Sequence, residues 1–295
     1  MPFYVCDTQQ FPVKRHTLNT SIRKYGDEWH WILKRAAQKL RLRSQMSVND
    51  YIILSDAFRS TKGYAVYMHI QSISISFGIF LGNEQELMRK LWEHADFSSL
   101  RKFDGMGNQA QLDVEFREII RLVHNYATSV MSLVDHTRRI ARKLLRDKHL
   151  DVYQGQVDLN FTKDSLTGFI QDLRNYLLHF THPPISRVIR CELKHIRSIG
   201  IELATNDLLK WDGWSKRSMD FLKCHEEGIE LASVVTEYGE KVHAFWRWLD
   251  EHIRVACKRD LDELWAKHDE WAGFCKEHGI PTTDEEFRRS LESEQ

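Results

Sequence analysis

The stretch "DSLTGFIQDLRNYLLHFTHPP", Asp164 to Pro184, decides how this chain is read. With about 100° of turn per residue, Leu166, Phe169, Ile170, Leu173, Tyr176, Leu177 and Phe180 gather on one arc, the core face of a helix. Gln171, Arg174, Asn175, Leu178, His179 and His182 gather on the opposite arc. Thr162 stands where a helix N-cap belongs, and Pro183 and Pro184 predict an end near Thr181 or His182, because a residue before proline avoids helical angles. His179 then lies in the last turn, where carbonyls without partners favour a cation. Arg174 and His179 are separated by about 7.5 Å along the axis and about 140° around it. They are too far round for a simple pair, yet placed to border one concavity. Leu178, an apolar residue between them, predicts that something covers this face, and a second protomer would serve.

The chain around this helix reads as mostly helical. Only five prolines interrupt 295 residues. "DEWHWILKRAAQKLRL" (Asp27 to Leu42) has its acids early and its bases late, as the helix dipole favours. Val48 to Leu81 has mixed periodicity that fits both helix and strand and is read as helix, and "NEQELMRKLWEHA" fits a short helix capped at Asn83. After the glycine-containing linker "KFDGMGNQAQ", the longest helix is expected from Gln111 to Asp147. Its stripe is Phe116, Ile120, Val123, Ala127, Val130, Val134, Ala141 and Leu144. "SRVIRCELKHIRSIGIELAT" (Ser186 to Thr205) alternates enough for a β-hairpin. A long helix should cover Lys216 to Lys258, interrupted near Gly228 or Gly239, and "LDELWAKHDEWAGFCKEHGIP" should stop at Gly279. The expected fold is therefore mostly α, a helical bundle with a small β-hairpin insertion near 186–205. It divides into an N-terminal helical accessory region (1–105), the bundle (106–258), and a C-terminal helix with an acidic tail (259–295).

Bulk composition limits the function classes. Basic and acidic residues balance at 42 each, so no global field draws the chain to nucleic acid or membrane. The opening "MPFYVCDTQQ" lacks a secretory pattern. The longest apolar run, "ISISFGIFL", is short of the ~18 residues a membrane span needs. Five scattered cysteines fit reduced thiols better than a disulfide framework. The expectation is a cytoplasmic protein without membrane contact. Cys275 with His278, and Cys224 with His225, have zinc-compatible spacing, but no second pair stands nearby. Neither a metal nor a cofactor is expected.

The run "RNYLLH", arginine then a polar residue and histidine after four intervening positions, resembles the signature of the HEPN superfamily. The resemblance covers Thr162 to Pro184 and extends loosely over the bundle. It implies a helical homodimer that cuts RNA without a metal, the ribose 2′-OH serving as nucleophile. Under it, Arg174 holds the scissile phosphate, His179 moves a proton, and Asn175 orients the phosphate or His179. The family's setting implies a toxin or phage-defence effector, with an antitoxin or activating partner unspecified. Thr181 stands where a subset of the family has tyrosine, so a nucleotidyltransferase partner is not expected.

The spacing by itself is cheap. Four pairs share it: Arg89/His94, Arg174/His179, Arg190/His195 and Arg247/His252. Only Arg174 is followed by a small polar residue, and Arg247/His252, on a long helix, is the serious rival. RNA contacts are expected at the basic run holding Arg138, Arg139 and Arg142, and at His182. Two readings stay open beside the enzyme. Arg174 and His179 can be an ordinary surface ion pair and a helix-end histidine, and the whole can be a non-catalytic helical interaction or nucleotide-binding protein. A dimer whose two pairs face one basic groove favours the enzyme. A monomer with His179 open to solvent favours the binder.

Overall fold

The computed structural model describes residues 45–103, 109–192, 195–280 and 282. In chain order the helices are α1 (Gln45–Arg59), α2 (Lys62–Ala95), α3 (Ser99–Phe103), α4 (Gln109–Leu144) and α5 (Asp147–Val157). A π-helical turn (Asp158–Thr162) precedes the motif helix α6 (Ser165–His179). Then come β1 (Ile185–Glu192), β2 (His195–Leu203), α7 (Thr205–Leu208), α8 (Lys216–Lys223), β3 (Ile229–Glu230), α9 (Leu231–Ala256) and α10 (Lys258–Glu277). The chain is mostly α with a small antiparallel sheet, as its periodicity predicts. The expected helix at 27–42, the centre of the linker and the acidic tail lie outside the described residues.

Contacts divide the chain into two units, residues 1–65 with 259–295, and residues 66–258. The division falls in the first turn of α2. In the first unit, Tyr51, Trp271, Cys275 and Ile280 form a buried cluster, and Phe58 stacks on Trp271 at 6.1 Å. Gly63 is required there: a Cβ would stand 1.9 Å from the backbone carbonyl of Asp260. Gly279, at φ +63°, terminates α10 in the left-handed conformation glycine tolerates.

The second unit carries the motif. The expected short helix at 83–95 is the C-terminal part of α2, and Asn83 does not cap it. Its side chain instead donates to the carbonyl of Ile79, one turn back within the helix. Helix α2 also has an 18-residue window of mean hydropathy 1.3, long and apolar enough by composition to cross a membrane. That window is interrupted by too many serines and glycines to stand out as one run in the sequence. The same helix packs Phe80, Leu87 and Leu91 into the interior.

Helix α4 buries Val123, Ala127, Val130 and Ala141 as its periodicity predicts, and adds Ile119, Tyr126, Leu133 and Ile140. Phe116, Ile120, Val134 and Leu144 of the expected stripe are only part-buried, so the buried face is turned toward the added positions. β1 and β2 pair from Ile185↔Leu203 to Glu192↔His195, with an irregularity at Arg190/Cys191. The third strand, two residues long, pairs with the end of β2 and is too short to leave an alternating pattern. Gly228, at φ +148°, makes the break expected in the 216–258 segment. Gly239 does not break α9; it sits inside that helix, beneath Glu84 of α2.

Candidate functional site

Helix α6 starts at Asp164, not Thr162. The Asp164 carboxylate accepts from the Thr167 amide at 2.8 Å and its hydroxyl at 2.7 Å, and pairs with Lys241 of α9 at 2.8 Å. Burial works upward on this carboxyl, but Lys241 and the Thr167 donors outweigh it and hold its pKa below the ordinary 3.8. Thr162 instead closes the preceding π-helical turn. The proline pair ends α6 slightly earlier than expected, at His179, with Phe180 as C-cap.

The core face is set by aromatic packing. Phe169 stacks between Trp214 at 5.6 Å and Phe221 at 4.7 Å, and Tyr176 stacks on Trp214 at 5.6 Å. The Trp214 indole donates to the carbonyl of Leu208 at 2.7 Å. Gly168 allows α8 to come close, since a Cβ there would lie 2.8 Å from the Cβ of Arg217. Asp172 fixes the start of α8 by accepting from the Ser215 amide at 2.8 Å and the Ser218 hydroxyl at 2.5 Å. Leu166, Phe169, Ile170, Leu173 and Tyr176 are buried as predicted, whereas Phe180 is exposed because the helix has already ended.

On the other face, Arg174 is half-buried and His179 exposed. The Arg174 Nη1 donates to Asn175 Oδ1 at 3.2 Å. Its Nε is buried without a hydrogen-bond acceptor. Among the described residues no carboxylate forms an ion pair with Arg174, so the surface ion pair considered for it is not formed. Asn175 thus engages the neighbouring guanidinium through its carbonyl oxygen. His182 is exposed beyond the helix end, and Leu178 and Phe180 beside it are 42% and 49% exposed. Two exposed apolar residues thus flank His179.

The three rival pairs are occupied structurally. Arg89 pairs with Glu93, and His94 is fully buried against Phe103, ring centroids 4.4 Å apart. Arg190 pairs with Glu202. His252 bonds the carbonyl of His149 at 2.9 Å and stacks on Trp248. The burial of His94 and the bond from His252 to His149 come from packing that the spacing alone does not reveal, while His195 is exposed.

Arg138, Arg139 and Arg142 are all exposed on α4. Arg139 acts on His69 of α2, where burial first and then Lys143 and Arg139 depress the imidazole below 6.5. Arg138 and Arg142 act on Tyr153 of α5, and Arg138 borders a cavity that also touches Thr167 and Gln171 of α6. Among the described residues no group of three or more His, Cys, Asp or Glu gathers as a metal site. Cys275 is buried, and His278 bonds the carbonyl of Phe274 at 2.9 Å. The sequence matches no family model, no curated protein and no solved structure.

Proposed function

We propose that this protein is an endoribonuclease of the HEPN type, cutting RNA without a metal in a homodimer built around α6. The observation that carries the reading is Arg174: a half-buried permanent cation without a carboxylate partner among the described residues, its Nε lacking an acceptor, one helix turn and a half from an exposed imidazole. A guanidinium in that state suits an anionic ligand with planar oxygens, such as a phosphodiester. In the proposed reaction one imidazole removes the proton of a ribose 2′-OH. The 2′-oxygen attacks the adjacent phosphorus, and the bond to the 5′-oxygen breaks. A second imidazole returns a proton to the leaving oxygen, giving a 2′,3′-cyclic phosphate and a 5′-hydroxyl. Arg174 stabilises the charge that grows on the phosphoryl oxygens, with Asn175 holding its orientation. The partner copy supplies the second histidine, and Leu178 and Phe180 supply apolar contact. A cytoplasmic toxin or defence effector is the setting proposed with it.

The second reading, a non-catalytic helical binding protein, is favoured by a specific observation: in the single chain His179 is open to solvent. Cleavage of a mixed RNA pool in EDTA decides between them, using wild type, His179→Ala and Arg247→Ala with folding verified. The enzyme reading expects cleavage lost only in His179→Ala. Activity that survives in His179→Ala removes the site from this helix. Inactivity of every protein, with and without cell extract to supply an activator, moves the chain to the binding class.

A further inference from the structure

The second unit contains a cavity of about 290 Å³, at the lower end of small-molecule sites, about 300 Å³ and upward. Its walls are aromatic at Phe80, Phe161, Phe245 and Trp246, and aliphatic at Val130, Val134, Val242 and Leu249. Polar groups are confined to a few positions, among them Thr167 and Gln171 of α6, Arg138 of α4 and Arg217 of α8. An apolar chamber with a few polar groups is the composition of a ligand pocket, and it differs from a packed core, where voids larger than water are few.

Arg217 gives the pocket a sign. Its Nη1 donates to the carbonyls of Phe161 at 3.2 Å and Thr162 at 2.6 Å, and its Nη2 donates to Gln171 Oε1 at 3.3 Å. All three acceptors are neutral, and among the described residues no carboxylate pairs with it. Three of the five guanidinium donors are used, which leaves two uncommitted. Arg138, by contrast, has an acidic neighbour, Asp135, at 3.4 Å. The pocket thus presents one cation without an acidic partner beside an apolar chamber. The clamping carbonyls come from the π-helical turn, a rare geometry that recurs at functional sites. Here it lines the cavity with Phe161 and Thr162 and orients the arginine.

We propose that this cavity is a binding site for a small apolar monocarboxylate, an aromatic or branched hydrocarbon body carrying a single carboxylate that Arg217 receives. A polyphosphate does not fit the description, since one free cation and an aromatic wall offer no cradle for several charges. The site stands apart from the cleavage reading, and neither depends on the other. Bound ligand would rest against Thr167 and Gln171, on the same face of α6 as Arg174.

The test is calorimetric titration of the full chain with 3-phenylpropanoate, its neutral analogue 3-phenylpropanol, and inorganic phosphate. The acid should bind more tightly than the alcohol by roughly tenfold or more, the worth of a hydrogen bond to a charged group, and phosphate should not bind. Arg217→Gln should remove that advantage and leave alcohol binding unchanged, an outcome that a purely structural role for Arg217 would not give. Val134→Phe, which fills the chamber, should abolish binding of both. Should Arg217→Gln fail to fold once its clamp is lost, the acid–alcohol comparison and Val134→Phe still decide. Equal affinity for acid and alcohol, no binding of either, or binding that survives Val134→Phe overturns the proposal.

Discussion

At the scale of single residues, Arg174 is expensive to keep. A buried charged donor without an acceptor costs on the order of 1–3 kcal/mol, and Arg174 Nε is such a donor. Arg174→Met, close in length and without an unmet donor, should therefore stabilise the fold by about 1 kcal/mol in urea unfolding, while abolishing RNA cleavage. Lower stability of that variant would mark the guanidinium as structural and remove the main support for the functional reading. Arg174→Lys should keep the fold and reduce cleavage by about 100-fold or more, since a point charge does not reproduce a planar fork of donors. Matched wild-type activity in that variant would argue against phosphate clamping. The candidate residues were legible in the sequence as a pattern. The engagement of the rivals was less so, because Glu202 and His149 reach Arg190 and His252 from other elements.

At the scale of elements, α6 is held by its cap and by its fit against α8. Asp164→Ala should lose about 1–2 kcal/mol, because two cap bonds and the Lys241 pair vanish together. The effect has a pH signature. The folded pKa of Asp164 lies below 3.8, so its contribution is complete above that value and fades as pH falls through the folded pKa. Wild type and Asp164→Ala should therefore converge in acid; a gap unchanged down to pH 2 would contradict this. Gly168→Val should force α8 away and destabilise by about 1–3 kcal/mol, readable as a lower midpoint in denaturant. The helices were legible wherever one face was apolar for several turns, as in α4 and α6. The cap at Asp164 was missed because Thr162 and Asp164 are both good N-cap types, and only the π-helical turn excludes Thr162. The cavity was invisible in sequence, since its walls come from six helices and the π-helical turn, separated by up to about 170 positions.

At the scale of the whole molecule, stability and assembly can both be read from outside. His94 is fully buried; burial pushes its imidazole below 6.5, against the upward pull of Glu115 and with help from Lys90 and Arg187. A histidine kept neutral in the fold contributes stability that is complete above about pH 6.5 and lost as pH falls toward the folded pKa. His94→Phe should flatten the stability profile below pH 6.5; an unchanged slope would show that other groups set it. The proposed dimer should sediment as such at micromolar concentration, and Leu178→Asp should return it to monomer if that face is the contact. The division into units was not readable in the sequence, because α1 and α10 join from opposite ends of the described chain. A shorter but still long gap is spanned by one side chain: Arg187 of β1 reaches back to the carbonyl of His94 at 3.4 Å and the hydroxyl of Ser99 at 2.6 Å. Joining residues about ninety positions apart means closing a long loop, which slows folding relative to local helix formation. The sheet should therefore dock after the helices have formed, and Arg187→Met should accelerate unfolding several-fold while barely changing the refolding rate. The guanidinium of Arg187 would then act as a latch on the kinetic lifetime of the native state, set last and released first.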